Sequence, residues 1–259
     1  LDETYGRADV DRLWDFLFKP DGKGIPLINF IKKEGIRGCF TYWSGTLTEE
    51  ASDCSLYLNE KAGWYLSTMR HCPSKGRLLE LEETIGITPY RDYCLHCDCY
   101  RAAVAEVGLE YIYDFTGTDR AACSILIYDP KIFDGRVIPD ENTEIMDRRA
   151  ADNEYFHPAF HSSLNRGVRY LGETYGEAVL NDYLRTYTAH VYAHLQIGAR
   201  GLDGIEALIR DTYRKEKAED ALTLTREGET LTVKVAYCPG VRFLQSIKSE
   251  ISRWYPATS

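Results

Sequence analysis

The chain has 259 residues and a formal net charge of −9. Such an acidic protein lacks the basic surface that binding to nucleic acids or anionic membranes requires, and no stretch approaches the roughly 18 apolar residues that span a bilayer. A hydrophobic content of 44% is ample for a folded core, and eight cysteines without a secretory signal predict a reducing, cytoplasmic location.

The first half of the chain opens with two patterns. Residues 25–34 are amphipathic at helical spacing and predict a helix. Residues 55–71 alternate apolar and polar side chains around Ala62-Gly63, which predicts a β-hairpin. Cys72-Pro73 and a short helical stretch follow this hairpin.

A second helix and hairpin are predicted in residues 89–128. Asp92 is a candidate N-cap, and an apolar stripe at helical spacing then runs to Gly108. The stripe consists of Cys97, Tyr100, Val104 and Val107. Residues 109–115 and 122–128 predict a hairpin across Gly117-Thr-Asp, with Cys123 on its returning strand.

A predicted linker separates these elements from a similar set of helices and a hairpin in the second half of the chain. Residues 129–152 combine proline, glycine and charge, which is typical of a linker. Beyond it, residues 156–171 and 202–215 predict helices, and residues 221–237 predict a hairpin that turns at Glu227-Gly228. Cys238-Pro239 again follows the hairpin.

The two halves match each other in sequence, in the same order. Leu1-Asp-Glu-Thr-Tyr-Gly6 matches Leu171-Gly-Glu-Thr-Tyr-Gly176. Further matches pair Leu56 with Leu222, Leu58 with Leu224, Cys72 with Cys238 and Pro73 with Pro239. We therefore predict an α+β fold made of two tandem copies of a module in which helices cover an antiparallel sheet.

The predicted modules differ at their ends. The first spans residues 1–128 without a counterpart of the helix at 156–171, and residues 129–152 connect it to the second. The second spans residues 153–259 without a counterpart of residues 94–128.

Residues 94–99, Cys-Leu-His-Cys-Asp-Cys, concentrate the chemistry of the chain. Cys94 would lie in the first turn of the predicted helix, where free N–H groups and the helix dipole favour a thiolate. In one interpretation Cys94 is a nucleophile, and His96 or Asp98 transfers protons. In another, Cys97 and Cys123 are core residues and Cys99 has no role.

A third interpretation is a site for zinc or another divalent metal, because thiolate and imidazole are ligands that zinc prefers. The candidate ligands are Cys72, Cys94, His96 and Cys97, with Cys99 and Cys123 as further donors. The spacing C-x2-C-x-C lacks a second C-x-x-C pair.

The histidines of the second half form two i,i+4 pairs, His157/His161 and His190/His194, a spacing that can present two rings to a metal. No H-E-x-x-H motif accompanies them, so we interpret them as ordinary half-buried histidines. A Walker A loop, G-x-G-x-x-G and G-x-S-x-G are absent, which gives no support to nucleotide-dependent chemistry or serine hydrolysis.

Several of these motifs together resemble the L-2-amino-thiazoline-4-carboxylic acid hydrolase family. The resemblance rests on Arg70-His-Cys72-Pro73, Cys94-Leu-His96, Gly117-Thr-Asp-Arg-Ala-Ala-Cys123 and, in the second half, Tyr155–His161 through Gly176 with Cys238-Pro239. The short motifs touch most of the chain. Relatives carry Asp where this chain has Cys97, which leaves open whether Asp98 takes the acidic role. The cysteine layout is also similar to the 4-vinyl-reductase-type ligand-binding domain.

The first resemblance implies a hydrolase that opens a C–N bond of a cyclic amidine or thiazoline-type small molecule. Cys94 would attack the ring carbon and His96 or Asp98 would protonate the leaving group, with Cys72 and Cys123 binding the substrate. Alternatively, a metal held by the cysteines would activate water.

The second resemblance implies a non-catalytic sensor or carrier that binds a small molecule or a metal. An interaction scaffold with structural cysteines is the remaining alternative. The second module has no counterpart of Cys94 or His96, so we predict that it is a scaffold, dimer mimic or lid. We expect a small-molecule partner, no nucleic acid or membrane, and a homodimer as a candidate assembly.

Overall fold

The computed structural model of the chain describes residues 1–19, 24–193 and 197–255. It divides into two units, Leu1–Tyr155 and Phe156–Ser259, and both combine helices with antiparallel strands. The predicted α+β class is therefore confirmed. None of the helices formed by the described residues has the length and apolar character needed to cross a bilayer.

The helices of unit 1 include the predicted ones and three that sequence patterns did not indicate. The α-helices formed by its described residues are α1 (Asp2–Tyr5), α2 (Arg7–Phe18), α3 (Leu27–Glu34), α4 (Arg37–Glu49), α5 (Pro73–Ile85) and α6 (Tyr100–Glu106). Helix α3 confirms the prediction for residues 25–34, and α5 begins at Pro73 with Cys72 as its N-cap. Helices α1, α2 and α4 were not predicted.

The strands of unit 1 form one antiparallel sheet in the order β3-β4-β2-β1-β5. The two predicted hairpins are present as β1 (Asp53–Asn59) with β2 (Trp64–His71), and β3 (Glu110–Asp114) with β4 (Cys123–Tyr128). Strand β4 joins the hairpins by pairing with β2, which places Cys123 opposite Met69.

Strand β5 (Glu144–Arg148) corrects the prediction of a linker at residues 129–152. It pairs antiparallel with β1, with Met146 opposite Leu56, and forms an edge of the sheet. The proline, glycine and aspartate that suggested a linker belong to the loop before this strand, where Asp140 accepts a hydrogen bond from Asn59 at 2.8 Å. The segment is therefore part of unit 1.

The core of unit 1 lies between one face of the sheet and helices α3, α4 and α6. Alternate strand residues point into it, including Cys54, Leu56, Leu58, Tyr65, Tyr111, Tyr113 and Ile127. Burial of each large apolar side chain contributes roughly 1.5–3 kcal/mol. The Trp43 ring of α4 stacks on Tyr65 with 5.5 Å between ring centroids, which fixes the helix on the sheet.

Unit 2 contains the predicted hairpin and helices. Its described elements are α7 (Phe160–Tyr175), α8 (Glu177–Ala193), α9 (Ile197–Lys215), β6 (Leu222–Glu227), β7 (Thr230–Val235) and α10 (Pro239–Ser246). Glu227 pairs with Thr230 across a two-residue turn, as the Glu227-Gly228 pattern predicted. Helices α7 and α9 and the hairpin match the predicted elements, whereas helix α8 was not predicted.

Backbone conformations recur at positions 166 residues apart. Gly35 has φ 63° and ψ −147°, and Gly201 has φ 56° and ψ −146°. Ala51 and Lys217 share a positive φ, 51° and 52°. The sequence-matched Gly6 and Gly176 are also alike, at φ 85°, ψ 170° and φ 87°, ψ 167°, and each separates two helices.

Candidate functional site

The sequence-predicted cysteines come together at one end of the sheet of unit 1. Cys72 directly follows β2, and Cys123 is the first residue of β4, which pairs with β2. The amide of Cys72 donates to the carbonyl of Ala121 at 2.6 Å, so the two segments are tied together. Cys94 and Cys97 lie on a 3-10 helix, Tyr93–Cys99, that precedes α6.

This 3-10 helix corrects the prediction of an α-helix starting at Asp92. Asp92 makes no side-chain cap, and its carboxylate instead binds Arg7 at 2.9 Å. A 3-10 helix repeats every three residues, so side chains three apart lie one above the other. Cys94 and Cys97 therefore share a face, as do Tyr93 and His96, whose rings are 4.7 Å apart.

Cys72, Cys94, Cys97 and Cys123 form what we call the thiol cluster. Each of the first three acts electrostatically on at least one other member, and Cys97 raises the pKa of Cys72, Cys94 and Cys123. All four residues are half-buried. These interactions show that the four cysteines lie near one another.

The thiols of the cluster are protonated at neutral pH. Burial, and then the nearby Cys97, raises the pKa of Cys94 to about 11. Burial likewise raises the pKa of Cys97 and of Cys123 to about 12. The expectation of a Cys94 thiolate at a helix N-terminus is therefore wrong, because desolvation outweighs any favourable dipole.

The thiol that does sit at the start of an α-helix is Cys72. It is the N-cap of α5, and the amide of Lys75 donates to its Sγ at 3.5 Å. Burial still raises the pKa of Cys72, against the lowering effect of the Lys75 amide.

His96 is enclosed by aromatic rings. Its ring centroid lies 6.1 Å from that of Trp14, 5.8 Å from that of Phe18 and 4.7 Å from that of Tyr93. Burial lowers the pKa of His96, so the imidazole is neutral at physiological pH. A neutral imidazole can accept a proton.

The contacts of His96 fix its tautomer. Nδ1 faces the carbonyl oxygen of Tyr93, and because a carbonyl only accepts, Nδ1 must carry the hydrogen. Nε2 is then the acceptor, and it lies 3.4 Å from the Sγ of Cys97. The thiol that lies beside the accepting nitrogen of His96 is consequently that of Cys97, whereas Cys94 was the predicted nucleophile.

Tyrosine side chains complete the surroundings of Cys97. The hydroxyl of Tyr113 lies near the thiols of Cys97 and Cys123 and lowers the pKa of both against the larger effect of burial. The hydroxyl of Tyr111 donates to the carbonyl of Cys97 at 2.8 Å. Strand β3 thus holds the 3-10 helix and the start of β4 in position.

Asp98 does not join the thiol cluster through a hydrogen bond. Its carboxylate makes a forked ion pair with Arg101, with Nη2 2.6 Å from Oδ1, and Arg101 Nη1 donates to the carbonyl of Tyr111 at 2.6 Å. This pairing is structural and leaves Asp98 bound to Arg101 rather than to Cys94 or His96.

Glu50, which sequence reasoning missed, lies close to the cluster. It follows α4, and its negative charge raises the pKa of Cys72, of His96 and of Cys97. The signal in the sequence was the repeat itself, because Glu216 stands at the matching position of the second half.

The predicted metal ligands do not fit a metal ion. Within residues 1–19, 24–193 and 197–255, no group of three or more His, Cys, Asp or Glu side chains is arranged to hold one. Both nitrogens of His96 already have protein partners, the Tyr93 carbonyl at Nδ1 and the Cys97 thiol at Nε2.

Arg70, part of the family-like motif, is a structural clamp. It binds Asp53 at 2.7 Å, Asp147 at 2.9 Å and the carbonyl of Arg148 at 2.6 Å, so it joins β1, β2 and β5. It also lines a surface cleft of 670 Å³. The other lining residues of this cleft are Asp53, Asp147, Arg149, Ala150 and Ala151.

His161 of unit 2 has two partners and no metal-pair geometry. Its Nε2 lies 2.9 Å from Oε2 of Glu216, and its Nδ1 lies 2.8 Å from the hydroxyl of Tyr255. His157 precedes α7 and packs on Phe160. His190 and His194, the other predicted pair, lie outside the residues whose side chains the structure describes.

Comparison of the chain with family sequence models, with curated proteins and with solved structures gave no match.

Proposed function

We propose that this protein is a thiol-dependent hydrolase that opens a C–N bond of a cyclic amidine or thiazoline-type small molecule. The observation that carries the proposal is the contact of 3.4 Å between Cys97 Sγ and His96 Nε2, with the imidazole oriented by the Tyr93 carbonyl. A nucleophile, a base within reach and a third group that orients the base are the parts that covalent catalysis needs.

Cys97 replaces Cys94 as the proposed nucleophile. Because burial keeps Cys97 protonated, the thiol acts by general-base catalysis rather than as a preformed thiolate. Because burial lowers the pKa of His96, the ring stays neutral and its Nε2 can take the proton. Cys72, Cys94 and Cys123 surround the reacting sulfur and are the proposed substrate contacts.

The reaction balances with water as the only co-reactant. His96 takes the thiol proton as Cys97 sulfur bonds to the ring carbon, giving a tetrahedral centre. The ring C–N bond then breaks, and the departing nitrogen takes the proton from His96. Water next attacks the same carbon, and the C–S bond to Cys97 breaks to release a carbamoyl product and the free thiol.

The test is turnover of a 2-amino-thiazoline carboxylate, followed as ring opening by chromatography and mass spectrometry. We expect Cys97→Ser to lower kcat/KM by roughly 10³-fold or more, because the nucleophile is lost. His96→Phe fills the aromatic enclosure without a base and should cost roughly 10²-fold or more. Cys99→Ser is the matched control and should retain activity. Full activity in folded Cys97→Ser would refute the assignment.

A non-catalytic carrier is the second candidate. It is favoured by the aromatic enclosure of His96 and by the protonated state of every thiol in the cluster. Saturable binding of the same thiazoline without turnover, measured by calorimetry, would support the carrier over the hydrolase.

We also infer that the chain arose by tandem duplication. The support is the shared backbone of Gly35 and Gly201, of Ala51 and Lys217, and of the N-caps Cys72 and Cys238, each pair 166 residues apart. In addition, the amides of Ser52 and Ala218 donate to carbonyls five residues earlier, at 3.0 and 2.9 Å. Unrelated segments rarely share non-glycine residues of positive φ at matching positions.

The hairpins depart from this correspondence in one respect. Leu56 pairs with Ser67, whereas its counterpart Leu222 pairs with Val235 across a tighter turn. Limited proteolysis or separate expression of the two units would test whether each folds as a module.

A further inference from the structure

The chemistry of Cys94 and Cys97 extends beyond hydrolysis because the two residues lie one turn apart on the same face of a 3-10 helix. Such a helix rises about 2 Å per residue and places residues i and i+3 on one line, so their Cα atoms are about 6 Å apart. Disulfides bridge Cα separations of about 4.4–6.8 Å. The backbone conformation therefore suits a bridge between these residues.

We propose that Cys94 and Cys97 are a redox-active dithiol that closes to a reversible disulfide by exchange with a low-molecular-weight disulfide. Three observations carry this assignment. The two cysteines share one face of the 3-10 helix, the Nε2 of His96 lies 3.4 Å from the Cys97 sulfur, and both residues retain some solvent exposure.

Cys94 is the attacking thiol of the pair. Leu95, the next residue, is 37% exposed, which shows that this part of the 3-10 helix reaches the surface. A small disulfide can therefore approach Cys94 from solvent.

Cys97 is the resolving thiol, and His96 assists it. Cys94 thiolate attacks one sulfur of the small disulfide, the S–S bond breaks and one small thiolate leaves. The sulfur of Cys97 then attacks Cys94 in the mixed disulfide while its proton passes to His96 Nε2. The second small thiolate leaves and takes that proton. The two cysteines lose two electrons, and the small disulfide is reduced to two thiols.

Exchange of this kind does not require the hydrolase. In the proposed hydrolase the bridge would occupy the nucleophile Cys97 and switch hydrolysis off. This consequence alone rests on the proposed function.

The experiment is peptide mapping of the full chain after incubation with oxidised glutathione at pH 8. Remaining thiols are blocked with N-ethylmaleimide before digestion with trypsin, which cuts after Arg91 and Arg101 and so releases Cys94, Cys97 and Cys99 on one peptide. We expect this peptide to carry one internal disulfide between Cys94 and Cys97, one maleimide on Cys99, and full recovery of three maleimides after dithiothreitol.

The matched variants separate this bridge from others. In Cys94→Ser the attacking thiol is missing, so Cys97 should remain unmodified. In Cys97→Ser the reaction should end at a stable mixed disulfide between Cys94 and glutathione. Cys99→Ser should form the bridge as the wild type does. A bridge from Cys97 to Cys72 or Cys123, or no bridge at any glutathione ratio, would overturn the proposal.

Activity is measured on the same samples, which keeps the two proposals apart. A mapped disulfide in a protein that shows no turnover even when fully reduced would refute only the hydrolase. The converse result would refute only the dithiol proposal. In that case turnover depends on Cys97, oxidised glutathione leaves it unchanged, and no bridge is found.

Discussion

The thiol of Cys97 donates to Nε2 of His96 across 3.4 Å, although the two residues are neighbours in sequence. The Tyr93 carbonyl holds the His96 ring in the orientation and the tautomer that leave Nε2 as the acceptor. The orientation of this ring thus decides which of the four thiols of the cluster has a base beside it.

Stability should fall as pH rises from about 9. Thiols of the unfolded chain titrate near 9, whereas burial raises the pKa of Cys94 to about 11 and of Cys97 to about 12. In that window the unfolded state binds fewer protons than the native state, so the free energy of unfolding drops by up to about 1.4 kcal/mol per pH unit for each thiol. Urea titrations under reducing conditions at pH 8, 9 and 10 measure the slope.

The matched variant is Cys97→Ser, which removes one of these thiols. Its slope should be smaller than that of the wild type, and an identical slope would contradict the burial of Cys97. Burial also raises the pKa of tyrosines such as Tyr65, so they too lower stability as pH rises. The wild type and the variant share these tyrosines, so the difference between their slopes reports Cys97.

Arg70→Met should destabilise unit 1. The substitution leaves the carbonyls of Cys54 and Arg148 and the carboxylates of Asp53 and Asp147 without their shared donor. We expect a loss of about 1–3 kcal/mol in urea unfolding, tempered by the partial exposure of the pair. The control is Arg91→Met, whose side chain is 83% exposed and lies 3.7 Å from Asp92. Equal effects of the two substitutions would rule out the clamp.

Gly35→Ala and Gly201→Ala should cost similar amounts of stability. Both glycines adopt positive φ with ψ near −147°, a region that other residues rarely enter, and an added Cβ would meet nothing within 4 Å. The cost is then purely conformational, about 1–3 kcal/mol each. Gly45→Ala, in the middle of α4 and also with open space, should instead stabilise by about 0.5–1 kcal/mol. If Gly201→Ala left the stability unchanged, the structural match between Gly35 and Gly201 would be contradicted.

Tyr255→Phe should destabilise unit 2. The hydroxyl of Tyr255 is its link to Nδ1 of His161, and the side chain is only 1% exposed. Its removal strands a half-buried ring nitrogen and should cost about 1–3 kcal/mol. Tyr237→Phe breaks an exposed hydrogen bond to Asp220 and is expected to change stability by less than about 0.5 kcal/mol. Equal losses of stability in Tyr255→Phe and Tyr237→Phe would contradict this role of the Tyr255 hydroxyl.

The sequence by itself determined the hairpins and helix starts, which have strong local signals. Alternation and turn residues located three hairpins, and Cys72-Pro73 and Cys238-Pro239 marked helix starts, because these signals depend on neighbours in the chain.

Only the tertiary structure decided how those residues work. Residues 129–152 became part of the sheet because β1 offered a free edge, which no local pattern encodes. Burial against the core and the aromatic rings reversed the expected ionisation of Cys94, and Arg101 captured Asp98. Glu50 came near the thiols through the packing of α4 on the sheet. Desolvation and partner choice depend on contacts between distant segments, so they were fixed only when the chain folded.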